Sequence, residues 1–109
     1  MTLKIKIYQR PSGKAPFSEW FASLQDIRTK ALINNRILRL ATGHFGDIKA
    51  VGNGVFEMRV HYGPGYRIYF ANKSSATVLL LSAGIKKTQA LDIKKARDLL
   101  QEYEEYYEK

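Results

Sequence analysis

Three apolar segments separated only by tight turns constrain this chain more than any other feature. They cover residues 55–61, 66–71 and 77–82. Gly63-Pro64-Gly65 joins the first pair and Asn72-Lys73-Ser74-Ser75 the second, and both links carry turn chemistry. Links this short cannot carry a crossover, so the three strands are expected to form an antiparallel meander. Arg59 and Arg67 interrupt the apolar runs. Burying an unpaired guanidinium is costly, so the two point to a sheet face that meets an anion. If the Gly-Pro-Gly turn pairs the strands, both fall on the same face near its centre.

The rest of the chain supplies one strand and the helices. Residues 3–8 alternate apolar and polar with period two, as a half-buried strand does. Pro16 suits a first helical turn, and Phe17, Trp20, Phe21 and Leu24 follow at helical spacing. Asp26 is placed to cap a second helix that Gly43 closes. That helix is expected to bury Ile27, Ala31, Ile33 or Asn34, Ile37, Leu38 and Ala41 and to present Arg28, Lys30, Arg36 and Arg39. A last helix over residues 88–108 has Ile93, Ala96, Leu100, Tyr103 and Tyr107 in register. The expected fold class is α+β, in the order β-α-α-β-β-β-α, with a mainly antiparallel twisted sheet packed on helices. A chain of 109 residues holds one ordinary core, so residues 1–109 are read as a single domain.

Composition narrows the function classes. No apolar run approaches the roughly 18 residues of a membrane span, and the first residues lack a signal-peptide core. Without cysteine there is neither a disulfide nor thiolate chemistry. A soluble cytoplasmic protein with no membrane partner is the expectation. The net charge is +8, yet the tail from Gln101 to Lys109 holds four of the ten acids and only one cation, leaving residues 1–100 at +11. Such a body attracts nucleic acid, a ribosome or an acidic protein face.

No cluster has metal-ligand spacing, no glycine loop cradles a phosphate and no serine elbow is present. Cleavage of RNA by its own 2′-hydroxyl needs less: fixed cations at the developing charge and one or two proton carriers. No cofactor is expected. Arginine's planar fork suits a bidentate phosphate contact, which favours Arg67 and Arg59, although Glu57 is an equally available partner for Arg59. His61 stands at the edge of the turn close to both arginines, where it serves either proton transfer or structure; His44 reads as structural. Asp92 near the start of the last helix is either a general base or a favourable charge on the helix dipole. Lys94 and Lys95 either bind phosphates without reading sequence or form a solvated face. Tyr66 either stacks on a base or packs in the core.

Three stretches carry a family resemblance: Glu57-x-Arg59, Gly65-Tyr66-Arg67-Ile68-Tyr69-Phe70, and Gly84-x-Lys86-Lys87-x-Gln89-x-x-Asp92-Ile93-x-x-Ala96. Together they resemble the RelE/ParE toxin superfamily, in particular its HigB-like, Gp49-like "addiction module killer" branch, over almost the whole chain. The resemblance implies a small RelE-like fold and the toxin of a type II toxin–antitoxin module. The implied activity is a ribosome-dependent, metal-independent mRNA endoribonuclease that inhibits translation and growth. The alternative is a ParE-like, non-enzymatic inhibitor of DNA gyrase. Arg67 corresponds to the family's phosphate-binding arginine, and Lys86 or Lys87 to a basic residue at the edge of the cleft. The implied catalytic set is thus Arg67, Arg59, Lys87, Asp92 and His61, with Lys86, Lys94, Lys95 and Tyr66 touching RNA. Implied partners are a helix-turn-helix antitoxin, the ribosome and mRNA, with operator DNA bound only through the antitoxin complex. One departure stands out: residues 89–93 lack the tyrosine that many ribosome-dependent members carry there.

Overall fold

A computed structural model describes residues 2–108; Met1 and Lys109, the ends of the span read as one domain, lie outside the described residues. The order is β1 (Lys4–Ile7), α1 (Pro16–Ser23), α2 (Ile27–Ala41), β2 (Ile48–Gly52), β3 (Val55–Val60), β4 (Tyr66–Ser74), β5 (Thr77–Ile85), a 3₁₀ turn (Lys86–Thr88) and α3 (Gln89–Tyr107). The expected α+β order holds, with β2 added before the meander. Strands lie β1-β5-β4-β3-β2. Every neighbouring pair is antiparallel except β1 with β5, where Lys4 sits opposite Thr77 and Ile7 opposite Leu80.

Helices cover both faces of this sheet. Side chains alternate along β3 and β4, so Met58, Ile68 and Phe70 meet Phe17, Ile33 and Leu40 on the α1–α2 side. Tyr69 and Ala71 meet Ala96, Leu99 and Leu100 on the α3 side. β4 is therefore buried on both faces from Arg67 to Ala71, where Arg67 alone is not apolar.

α2 begins as expected, with Asp26 accepting from the Arg28 amide at 3.1 Å. It ends with Gly43 at φ 85°, where the Gly43 and His44 amides satisfy the carbonyls of Leu40 and Arg39. Its buried face differs from the expectation. Thr29, Ile33, Leu40 and Ala41 are buried, whereas Ile27 and Leu38 stand in solvent at 80% and 64% exposure. The i, i+4, i+11 row through Thr29 faces the sheet, and this turns Ile27 and Leu38 outward. The tail packs on β1: Tyr103 and Tyr107 set their rings edge-on to Tyr8 at 5.7 and 6.2 Å. Lys73 pairs with Glu104 and Glu108.

One irregularity positions the site. Between Tyr69 and Phe70 the β4–β5 register shifts, so that Phe70 faces Leu80 while Tyr69 faces Ser82. Leu81 is the extra residue of a β-bulge. Leu79 and Leu81 pack toward α3, and after the bulge Ser82 and Gly84 share that face. Strict alternation would have put Ala83 there; Ala83 instead packs with the α1–α2 cluster.

Candidate functional site

Three strands contribute one row of residues across the sheet: Arg59 on β3, Arg67 on β4 and Gly84 on β5 are direct register partners. The next row holds Glu57, Tyr69 and Ser82. Side chains two apart on a strand share a face, so Glu57 lies beside both arginines, on the side covered by α3.

Glu57 organises the cluster. Its side chain is fully buried. One oxygen accepts from Arg59 Nε at 3.0 Å. The other accepts from the Tyr69 hydroxyl at 3.1 Å and from Gln89 Nε2 at 2.9 Å. Burial by itself would push this carboxyl up. The hydrogen bonds from Arg59, Gln89 and Tyr69, with the Arg67 charge, outweigh it and hold Glu57 below its usual value. Burial and then the Glu57 charge push the Tyr69 hydroxyl well up, so it stays protonated and donates.

Arg67 is held differently. Its side chain is only 9% exposed, and its Nε lies 3.5 Å from Glu57, close enough for an ion pair. That Nε is nonetheless buried without a hydrogen-bond partner. Nη1 donates to the Gly65 carbonyl at 3.3 Å, and the same carbonyl accepts the Lys86 amide at 2.8 Å. The β3–β4 turn, Arg67 and the start of the 3₁₀ turn are thereby tied together. One carboxylate thus serves two guanidiniums that face each other across the strands. Like charges so placed repel.

The remaining residues divide clearly. Lys86 and Lys87 stand exposed on the 3₁₀ turn beside this cluster. Asp92 lies over Gly84, the partner of Arg67, and its Oδ2 accepts from the Thr88 hydroxyl at 2.5 Å. A Cβ on Gly84 would overlap that oxygen and lie 2.7 Å from Asp92 Cγ. Gly84→Ala is therefore expected to swing Asp92 off the sheet and break the Thr88 bond, at a cost of about 1 kcal/mol. Thermal unfolding of the variant, beside wild type and Asp92→Ala, measures it. A loss in Gly84→Ala much beyond that of Asp92→Ala would show that the backbone, not the carboxylate, gives way.

His61 is not brought to Arg67. Its Nε2 lies 2.6 Å from Asp47 Oδ2 on the β2 side of Arg59, and both side chains are exposed. That contact, first, holds the Asp47 carboxyl below its usual range. Tyr66 lies on the opposite face from Arg67, edge-on to Trp20 at 5.9 Å between ring centres. The alternation that unites Arg59 and Arg67 separates Tyr66 from them. Lys94 and Lys95 lie exposed one turn further along α3, Lys94 paired with Asp98 at 3.3 Å. His44 bonds Thr42 at 3.0 Å, in keeping with the structural reading. Gln89 and Tyr69 were not anticipated as part of the cluster. Glu57 was anticipated only as a partner of Arg59. Arg36, expected only on the outward side of α2, is half-buried instead: it donates to the Arg59 carbonyl at 3.2 Å and to the Phe45 carbonyl at 3.4 Å, fixing the strand beneath the site. No helix among the described residues is long and apolar enough to cross a membrane.

A five-stranded mixed sheet between helices, with a paired-arginine cluster at one end, makes this a small basic α+β protein, and its family match puts it in a toxin–antitoxin-like class. More particularly, the chain belongs to the phage derived protein Gp49-like family, whose family model matches residues 19–104. It is also similar to an uncharacterised protein of Haemophilus influenzae, with 46% identity over 102 residues, covering 94% of this chain and 97% of that protein.

Proposed function

We propose that the protein is the toxin of a type II toxin–antitoxin module, of the RelE/ParE, HigB-like kind, and that it cleaves mRNA on the ribosome. In this reading residues 1–109 act as one toxin domain in the cytoplasm. The observation that carries it is the nearly buried Arg67, whose Nε has no hydrogen-bond partner although Arg59 and Arg67 share a single carboxylate. A phosphate supplies the second anion that the two guanidiniums lack.

The chemistry follows from the positions. The 2′-hydroxyl of the RNA attacks the adjacent phosphorus, the 5′-oxygen of the next nucleotide leaves and takes up a proton from solvent to become a hydroxyl, and a 2′,3′-cyclic phosphate remains. Arg67 and Arg59 stabilise the charge that gathers on the phosphoryl oxygens. Lys86 and Lys87 attract the strand and bind its flanking phosphates. Asp92, partly exposed beside the arginine row, takes the proton from the 2′-hydroxyl. Glu57 is satisfied by four neighbours and serves as the anchor of the guanidiniums, not as the base. An antitoxin that covers the row would silence the protein, and operator DNA would be reached only through that complex.

Induced expression in a bacterium lacking the antitoxin, with transcript ends mapped, tests the reading. New ends inside translated codons are expected within minutes of induction. Growth arrest with intact transcripts would transfer the arginine cluster to a binding role, as in a ParE-like gyrase inhibitor.

A further inference from the structure

The outward side of α2 carries a pattern that neither the fold nor the proposed chemistry uses. Ile27 and Leu38 are the two most exposed large apolar side chains among the described residues. The fold does not need them, because Thr29, Ile33, Leu40 and Ala41 form the buried face of the helix. Ala31 and Asn34, both exposed, lie between them, so the four positions follow one another at steps of four, three and four residues. Apolar residues scattered singly over a surface are ordinary. A line of them at alternating steps of three and four is the seam of a coiled coil, which keeps one row of side chains turned to a second helix.

Charge decides what fits that seam. Arg28 and Lys30 stand at the two positions that flank it, where coiled coils set the charges that choose a partner. α2 itself contains no aspartate or glutamate. Asp26, at its cap, is taken up by the Arg28 amide at 3.1 Å and the Thr29 hydroxyl at 2.9 Å. Lys30 rests its ammonium 5.8 Å from the centre of the Phe21 ring. Among the described residues Arg28, Lys30 and Arg39 have no ion-pair partner. A second copy of this chain would bring these cations against their own counterparts, which repels. Nucleic acid would satisfy the cations and leave Ile27 and Leu38 in water. A helix with apolar seam positions and carboxylates beside them satisfies both.

We infer that the outward face of α2 docks an acidic amphipathic helix of a second protein, laid along it as in a two-stranded coiled coil. Ile27, Ala31 and Leu38 supply the apolar contacts, and Arg28 and Lys30 meet carboxylates of the partner. Asn34 stands in the seam, where a polar residue fixes register at a cost in affinity. α2 packs on the face of the sheet opposite α3, whereas the carboxylate that anchors Arg59 and Arg67 lies on the α3 side. A partner held on α2 therefore leaves the arginine row open, and silencing the row takes a separate contact. The inference goes beyond the proposed function and needs no RNA chemistry.

The probe is a three-heptad peptide with leucine at both seam positions and glutamate at both flanking positions, whose mutual repulsion keeps it from pairing with itself. It is titrated into ¹⁵N-labelled protein at one low salt concentration, up to about 1 mM, so that weak docking is still read. Amide shifts are expected along α2, and the same peptide with lysine in place of glutamate is expected to bind roughly tenfold more weakly. Leu38→Lys is expected to weaken binding roughly tenfold, the loss of one buried leucine. That variant is more positive, so attraction by charge alone would strengthen instead. Asn34→Leu is expected to bind roughly tenfold tighter, because the asparagine otherwise faces leucine without a partner. Both positions are exposed, so the fold is expected to survive. Absence of α2 shifts, equal binding of the lysine peptide, or unchanged affinity in both variants would each overturn the docking face. Transcript cuts in cells without peptide binding would overturn this inference alone. Peptide binding without transcript cuts would overturn the nuclease reading alone.

Discussion

Arg67→Ala is expected to abolish growth arrest and transcript cutting, with cleavage lowered by about 10²–10³-fold, the usual loss when one fixed donor to a developing charge is removed. The fold is expected to survive. Glu57 keeps Arg59, Tyr69 and Gln89 as hydrogen-bond partners when Arg67 is gone. Arg67→Lys separates charge from geometry, because lysine keeps the cation and loses the planar fork. It is expected to bind RNA with near-normal salt dependence while cutting far less. Transcript-end mapping and thermal unfolding on the same three proteins check this. Undiminished cutting in a folded Arg67→Ala protein would move the phosphate to Arg59 and the lysine turn.

The second large effect is on stability. Glu57→Ala removes the carboxylate from beneath two guanidiniums and leaves a cavity where four groups converge. Breaking a buried charge pair in this way costs about 3–5 kcal/mol, a large share of the roughly 5–15 kcal/mol that holds a domain folded. Glu57→Gln preserves the shape and gives the cleaner pH test. The folded state holds Glu57 below its ordinary value of 4.5, so the unfolded chain binds this proton more readily. The carboxylate's contribution is complete above that ordinary value and is lost as the pH falls through the lower, folded value. Urea unfolding from pH 7 down to about 3 should therefore show wild type losing stability faster than Glu57→Gln at the acid end. The remaining carboxyls are common to both proteins, so the difference isolates this group. Parallel curves would show that Glu57 titrates alike in both states.

Much of the frame was legible because the signals are local. Asp26 and Gly43 bracket α2 in the sequence as in space, and the period-two pattern of β3 and β4 is enough to put Arg59 and Arg67 on one face. The same alternation separates Tyr66 from Arg67, a consequence that a reading by aromatic type misses. β2 escaped because it is a short edge strand, exposed at three of its five positions, and its closing turn of Gly52, Asn53 and Gly54 reads as loop. Arg97 holds it by donating to the Val51 carbonyl from 46 residues away. The Glu57 cluster escaped for a similar reason: Gln89 reaches it from 32 residues along the chain. The bulge at Leu81 has no composition of its own. Only the demand that Asp92 rest on a residue without a side chain betrays it, and that demand is visible as Gly84 once α3 is in place.

The closing contacts of the fold join its first residues to its last. Tyr8 and Arg10 reach Glu102 across 94 and 92 residues, and β1 has no partner until Thr77–Leu80 exist. A chain synthesised from its amino terminus therefore leaves β1 waiting, with pairings that remote among the slowest to form. Glu57 emerges well before Gln89 and stays solvated until the last helix arrives. Only when α3 docks does Gln89 close over Glu57, so the carboxylate that holds both guanidiniums is the last part of the cluster to be buried.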